Sequence, residues 1–430
     1  MRNTQMGYGN TIERVTGRVA VGLLLAGALA LSACSDILNV DSPQQVAADV
    51  LNDPAHAGLL VAGVVGDFDC ALGSYVVAGG LLGDELHDGT FTASRWPTPS
   101  RTLSGTEVYG TNGCTGLGVY TPLSIARWTA DDALRKLEAW TDAEVVDRTE
   151  KVGVAAAYSG YAHVLLGEGM CTVAFDVGPE LQPADAFTRA EDRFTRAIAA
   201  ATAAGDDETL NMALVGRARA RLNLGNLSGA AADAALVPAG FEKVAVRSDI
   251  DGRTRNRVAA ESPWSNGSGV AGASTSVKEP YRDLMVGAVP DPRVPVTDMG
   301  GTTGDAITAN WRQDKYQSPA APMPIATYEE AQLIVAEASG GQTAVNIINA
   351  LRDQYGLPHF ASTDEATIQA QVLEERRREM FLEGQRLGDM RRKNVPLFPA
   401  TGTPYNKGGT YGDARCFPLP DIERRNNPNL

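Results

Sequence analysis

The sequence has few of the residues that usually build catalytic or metal centres. Its 430 residues include four histidines and 6% aromatic residues, which leaves little material for a histidine-based metal site or a long stacking groove. The Gly-x-Ser-x-Gly nucleophile elbow, the His-Glu-x-x-His zinc motif and the phosphate-binding loop are missing from the sequence. We therefore expect no metal, no cofactor and no enzymatic activity.

Positive charge is also scarce. The chain has 52 Asp and Glu against 38 Lys and Arg, which gives a formal net charge of −14. Because nucleic-acid binding requires a basic face that neutralises phosphates, this balance argues against a nucleic-acid partner. An apolar fraction of 43% is ordinary for a globular protein and excludes a largely disordered chain.

The amino terminus has the layout of an export signal. An uncharged apolar run, residues 19–33, follows a segment with three arginines. This run is shorter than the roughly 20 residues that a membrane-spanning helix needs, so the layout predicts a secretory signal peptide. Residues 31–34, Leu-Ser-Ala-Cys, resemble the lipobox of bacterial lipoproteins. The resemblance implies that residues 1–33 are removed and that acyl chains on Cys34 anchor the protein; the alternative is an ordinary signal peptide with a free thiol.

Four further cysteines are Cys70, Cys114, Cys171 and Cys416. An exported chain enters an oxidising compartment, where an even number of cysteines fits two disulfides with three possible pairings. We favour Cys70–Cys114, which flanks one Gly-rich region, and Cys171–Cys416, whose members each lie at the edge of a helical block. Four free buried thiols are the alternative. No Cys-x-x-Cys or Cys/His spacing indicates zinc.

The body of the chain is expected to be mostly α. Residues 116–236 carry apolar residues and alanines at three-to-four spacing, the period of an α-helix. The pattern predicts helices that include 184–204 and 209–224, with Gly225 as the stop of the second. These helices resemble tetratricopeptide pairs without a strict 34-residue period; a non-repetitive bundle is the alternative.

A second helical block is expected at about 327–392, and it ends in one long helix that starts with a capping pattern at residues 363–365. Two stretches, about 79–120 and 237–324, are rich in Gly, Pro, Ser and Asn and are expected to be long loops.

Several segments near the carboxyl end form a recognisable series. They are YEEAQLIVAEA (328–338), AVNIINALR (344–352), ERRREMFLEGQRLGDMRR (375–392), CFPLP (416–420) and NPN (427–429). In this order and spacing they resemble the SusD/RagB family of outer-membrane nutrient-uptake lipoproteins. Together with the lipobox, the resemblance covers residues 34–430 as a single domain.

The resemblance implies a SusD-like fold of tetratricopeptide-type helix pairs and long irregular loops. It also implies an outer-membrane, cell-surface lipoprotein that binds a glycan or a peptide and delivers it to a TonB-dependent, SusC-like transporter. Sugar rings pack their apolar faces on aromatic side chains. The candidate ligand contacts are therefore the aromatic residues in loop-like context, although local packing is the alternative for each: Trp96, Tyr109, Trp264 and Trp311.

Two other functions were weighed. A lipid-anchored helical-repeat scaffold would bind other envelope proteins in its concave surface. A surface hydrolase would need paired carboxylates, and Glu375, Glu379 and Glu383 fall at helical spacing. Arginines lie between these acids and would hold them ionised, so we expect a structural ion network. His163 is expected in the core, and His87 on a surface loop, with a cation site as the alternative.

Overall fold

The structure, a computed structural model, describes residues 50–262 and 273–430. Two residues to which the sequence assigns roles, Cys34 and Trp264, lie outside these ranges. Val50–Asn52 is a short 3-10 turn of an amino-terminal unit, and Asp53–Leu430 forms a second compact unit. All α-helices and strands of the described residues lie in the second unit.

The prediction of a mostly α fold is confirmed. The helices are α1 (Ala57–Leu82), α2 (Val108–Thr111), α3 (Tyr120–Ala139), α4 (Arg148–Gly169), α5 (Pro183–Ala204), α6 (Asp207–Asn223), α7 (Leu227–Ala234), α8 (Arg257–Glu261), α9 (Tyr328–Ser339), α10 (Gly341–Asp353), α11 (Glu365–Glu379), α12 (Arg386–Arg392) and α13 (Asp421–Asn426).

Short strands form two-stranded antiparallel pairs rather than one sheet. The pairs are β1 (Leu86–Asp88) with β3 (Thr275–Val277), β2 (Glu242–Ala245) with β8 (Met323–Thr327), β4 (Met285–Val286) with β5 (Val289–Pro290), and β6 (Val296–Thr302) with β7 (Ala309–Gln313). All of these strands except β1 fall between residues 242 and 327, in and beside a stretch expected to be loop. They hold long irregular segments in place.

Consecutive helices pack on one another from α3 to α7, and α9 then packs on α7. The contact between α4, α5 and α6 shows why small residues recur in this block. Phe194 of α5 lies against Gly160 of α4 and Gly216 of α6, where an added Cβ would come within 2.7 Å and 2.3 Å of the phenylalanine ring. Any larger residue at either glycine would collide with the ring, so these two positions set the close approach of the three helices.

Helix α1 was not predicted from the sequence. It is 26 residues long, and its second half, residues 70–82, is buried on every side. Among the described residues, Pro54–Leu82 is the one helical segment that is long and apolar enough to cross a membrane. Most of its apolar stretch, however, is buried inside the protein. It packs against α3 and α4 and forms the centre of the core.

The prediction of a single long helix at 363–392 is wrong. The chain leaves the helix after Glu379 and re-enters one at Arg386, and between them Leu382 (φ +56°) and Gly384 (φ +83°) have left-handed backbone conformations. The Leu382 N–H donates to the Glu85 carboxylate at 2.8 Å, and its carbonyl accepts from the Tyr316 hydroxyl at 3.2 Å. These distant partners stabilise a turn that a leucine alone disfavours.

The charged residues of this segment form an ion network that joins elements, in addition to pairs along one helix such as Arg378–Glu374. Glu375, on α11, is fully buried and accepts hydrogen bonds from Arg293 at 2.6 Å and from Arg352. On α12, Arg386 forms a bidentate pair with Asp84, just beyond α1. Arg391 donates to the carbonyls that end α4. The segment thus clamps the helix pairs to the rest of the fold.

The structure contains the disulfides Cys70–Cys114 and Cys171–Cys416, the pairing favoured from the sequence. The second bond ties the end of α4 to the carboxyl-terminal tail, where the Cys171 N–H also donates to the Phe417 carbonyl at 2.8 Å. Two regions far apart in sequence are therefore fixed together both covalently and by the backbone.

His163 lies in the core, as predicted, and its burial gives a pH-dependent stability. Burial lowers the pKa of His163 from 6.5 to about 4, although Asp131 lies 3.9 Å from its Nε2. Between these values the unfolded chain takes up a proton that the folded protein refuses, so stability falls as the pH drops from 6.5 towards 4.

We expect the His163→Gln variant to lose this dependence. Measured against the variant, the free energy of unfolding of the wild type should be constant above pH 7 and should fall by about 3 kcal/mol by pH 4. Urea unfolding at half-unit pH steps measures the difference. A difference in unfolding free energy between the two proteins that stays constant from pH 7 to pH 4 would contradict a buried, neutral imidazole.

Candidate ligand-binding pocket

A pocket of about 730 Å³ opens where four loop segments meet, and we call it the loop pocket. Its apolar surface includes Ile307 and Phe398, which are 49% and 38% exposed. Polar groups stand beside them. The full lining is His87, Glu279, Arg282, Ile307, Thr308, Ala309, Leu397, Phe398, Pro399, Ala400, Thr403, Pro404, Asn406 and Tyr411. Exposed apolar faces with a few polar groups are typical of a small-molecule site.

One wall of the loop pocket is a chain of side-chain contacts from β1 to β7. His87 Nε2 lies 2.9 Å from the Glu279 carboxylate, and Arg282 pairs with the other oxygen of Glu279 at 3.3 Å. The Arg282 guanidinium stacks over the Trp311 ring at 5.0 Å. Burial lowers the pKa of His87, and the Glu279 carboxylate accepts a hydrogen bond from its imidazole. The charges on this wall are paired within the protein.

The opposite wall, residues 397–412, is held by a buried arginine. Arg101 is 1% exposed and lies across the Tyr411 ring at 4.8 Å. Its guanidinium donates to the carbonyls of Phe398 (3.0 Å), Pro399 and Gly412 (3.0 Å). Since a buried guanidinium needs acceptors, these carbonyls fix the backbone on which the pocket's aromatic residues stand.

Trp96 lies behind this surface, at the end of a segment that starts with Asp88. Its indole N–H donates to the Thr90 carbonyl at 3.2 Å. Arg95 pairs with Asp88 at 2.6 Å and with Glu261 at 3.0 Å. The indole is thus oriented by the protein's own contacts.

A second cavity of about 510 Å³ is acidic. Its carboxylates include Glu379 and Glu383, which the sequence offered as possible hydrolase residues. Glu379 accepts from the Tyr355 hydroxyl at 2.7 Å, and Glu383 pairs with Lys315 at 2.6 Å. Both acids are therefore bound to protein donors. The exposed apolar residues Ile307 and Phe398 make the loop pocket the better ligand site.

The comparisons with known proteins agree with this architecture. Residues 301–430 match the model of the SusD family. Over these residues the chain is similar to the SusD/RagB family. The matched part contains Glu375 and its partner Arg352, Arg386 of the Arg386–Asp84 pair, and the 397–412 wall of the loop pocket. A comparison with curated proteins found no match.

Solved structures share the SusD-like fold along most of the chain. A SusD superfamily protein from Parabacteroides distasonis has a TM-score of 0.67 at 13% identity, over 90% of this chain and 99% of its own. A SusD homolog from Bacteroides thetaiotaomicron has 0.66 at 16%, over 88% and 96%. A SusD-like carbohydrate-binding protein from Bacteroides vulgatus has 0.65 at 15%, over 88% and 97%. At these identities the likeness establishes the fold alone.

The candidate aromatic residues have different environments in this fold. Trp311 supports the loop pocket through Arg282, and Trp96 braces the segment behind it. Tyr109 is fully buried in α2, where its hydroxyl donates to the Pro418 carbonyl at 2.8 Å and its ring packs on Phe417. It is a core residue, and its proposed ligand contact is wrong because no face of its ring reaches the surface.

His87 does not build a cation site in this fold. The acidic residues beside it in the sequence bind other partners, since Asp84 pairs with Arg386 and Asp88 with Arg95. Within residues 50–262 and 273–430 no group of three or more His, Cys, Asp or Glu side chains is placed to hold a metal ion.

Sequence reasoning missed the aromatic residues that line the loop pocket, Phe398 and Tyr411. They stand in a segment, residues 396–412, with several Pro and Gly. The criterion that selected Trp96, an aromatic residue in loop-like context, applies equally to this segment and would have found both.

Proposed function

We propose that this chain is an outer-membrane lipoprotein, anchored through an acylated Cys34, that binds a glycan at the cell surface and delivers it to a TonB-dependent, SusC-like transporter. The loop pocket carries the proposal. It joins exposed apolar faces, which suit the CH faces of sugar rings, to hydroxyl, amide and imidazole groups, which suit sugar hydroxyls.

The charges around the loop pocket favour a neutral glycan. Glu279 and Arg282 are paired with one another, so the pocket offers no unpaired guanidinium to an anionic sugar. The net charge of −14 also repels polyanions at long range. A neutral oligosaccharide therefore fits better than a polyanionic one, and a peptide is the other ligand class to be tested.

The Phe398→Ala variant tests the proposal. Titration calorimetry against neutral oligosaccharides, anionic oligosaccharides and peptides should find a neutral glycan whose Kd rises about tenfold in the variant, since stacking on the ring is lost. Trp128→Ala, at an exposed tryptophan on α3, is the matched control and should leave the Kd unchanged. Equal affinity of the Phe398→Ala variant and the wild type for every ligand would contradict the proposal.

The scaffold alternative has one supporting observation. A groove of about 540 Å³ beside α3 and α13 exposes the apolar residues Ile125, Trp128 and Ile422, which are 49%, 56% and 42% exposed. The same pair of variants separates the two functions. A scaffold predicts that Trp128→Ala loses a copurifying, non-transporter envelope protein while Phe398→Ala retains it.

A further inference from the structure

Lys407 occupies an unusual place for a lysine. It lies on the 397–412 wall of the loop pocket, yet its side chain is 2% exposed. Its ammonium lies 2.6 Å from the Asp88 carbonyl and 2.9 Å from the Thr90 carbonyl. It also lies 3.0 Å from a carboxylate oxygen of Asp88 and 3.0 Å from one of Asp305. An ammonium with four oxygen partners has no donor left for water.

These partners belong to two other segments, each of which adjoins residues that line the loop pocket. Asp88 ends β1, directly after His87, and leads into the segment of Trp96. Asp305 lies in the turn before β7, where its carboxylate accepts from the N–H groups of Ile307 (2.9 Å) and Thr308 (2.8 Å). The ammonium thus joins three segments that are remote in sequence.

A neighbouring contact makes the same connection. Asn406, next to Lys407 in the chain, donates from its side-chain amide to the Thr308 hydroxyl at 3.1 Å. Both Asn406 and Thr308 line the loop pocket. The 397–412 wall is therefore joined to the turn before β7 on the pocket surface as well as beneath it.

Burying an ammonium is costly unless carboxylates and carbonyls surround it. The helix pairs do not need this arrangement, because α3 to α7 pack on one another without it. What the ammonium does fix is the relative position of the three segments that it joins. A loop that is ordered before the ligand arrives spares the ligand the entropy cost of ordering it.

We propose that Lys407 is a positioning residue that keeps the loop pocket preformed by joining three chain segments that adjoin it. This inference rests on the proposed ligand-binding function for its consequence, but its structural part can be measured without a ligand.

Hydrogen exchange of the unliganded Lys407→Met variant is the first test. Amides in residues 88–96, 303–309 and 400–412 should exchange about tenfold faster or more than in the wild type, whereas amides of α4 to α6 should be unchanged. Lys151→Met is the matched control, because the Lys151 ammonium donates to the carbonyl of nearby Val146, and it should change none of these segments. Unchanged exchange in the three segments, or a uniform increase across the protein, would overturn the proposal.

The second test is the affinity for the glycan found with the wild type. Its Kd should rise about tenfold in Lys407→Met. In Lys407→Ala, propylammonium should fill the vacated space and restore both the slow exchange and the affinity, a rescue that a merely structural residue remote from the pocket would not give. Asp88 keeps Arg95 as a partner, whereas Asp305 loses its cation in Lys407→Met. If Lys407→Met unfolds for that reason, the Asp305→Asn/Lys407→Met double variant removes the charge of Asp305 and is used instead.

The two proposals fail separately. If Phe398→Ala leaves every ligand affinity unchanged while Lys407→Met loosens the three segments, the ligand function is wrong and the positioning role stands. If Phe398→Ala weakens glycan binding while Lys407→Met changes neither exchange nor affinity, the positioning role is wrong.

Discussion

Replacing Glu375 by alanine is expected to lower the free energy of unfolding by about 3–5 kcal/mol, the range measured when one partner of a buried ion pair is removed. Glu375 is fully buried and binds two arginines from different elements, Arg293 at 2.6 Å and Arg352 at 3.0 Å. Arg293 keeps Asp291 as a partner. Arg352 keeps the Pro358 carbonyl, so the variant buries a guanidinium whose charge is uncompensated.

Urea unfolding of the variant and the wild type measures this loss. Glu138→Ala is the matched control, because Glu138 pairs with Arg196 at 3.2 Å but both side chains are more than 40% exposed. Exposed pairs contribute about 0–1 kcal/mol, so the control should unfold close to the wild type. Equal stabilities of the two variants would show that the Glu375 network does not hold the carboxyl-terminal helices in place.

Removal of the Cys171–Cys416 disulfide is the second large effect. The bond joins residues 245 positions apart, so the Cys171→Ser/Cys416→Ser variant releases a long closed loop in the unfolded chain. Loop-closure entropy predicts a loss of about 5 kcal/mol, against about 4 kcal/mol for Cys70–Cys114, which closes 44 residues. Urea unfolding of both double variants compares them. A smaller loss for the longer loop would mean that residual structure in the unfolded chain outweighs loop length.

The helix pairs could be predicted because their signals are local. Residues 184–204 and 209–224 were expected as helices, and α5 and α6 cover Pro183–Ala204 and Asp207–Asn223. Gly225 was expected to stop the second helix, and it has a φ of +77°, which glycine adopts without strain. Apolar spacing and a stop residue are enough to predict a helix when one of its faces is buried and the other is exposed to solvent.

Helix α1 and the break at Leu382 could not be predicted for opposite reasons. The second half of α1 is buried on all sides, so its sequence has no polar face and no helical period. Leu382 is a good helix former in a motif of charged residues, and the partners that turn the chain there, Glu85 and Tyr316, are remote in sequence. Neither feature leaves a periodic or local signal.

The candidate site was predicted less well than the fold. Aromatic residues in loop-like context included Trp311, beside the loop pocket, and Tyr109, in the core. Composition indicates that a segment is irregular but not which side of it faces outward. The contacts that decide this, such as Arg101 beneath Tyr411, join residues about 300 positions apart.

The loop pocket is formed by four stretches of chain, and no single stretch encloses it. No contiguous fragment of this protein can therefore be cut out and grafted elsewhere as a receptor. Conversely, each stretch can vary in sequence on its own while the stacked helices stay as they are, so the shape of the pocket can change one segment at a time.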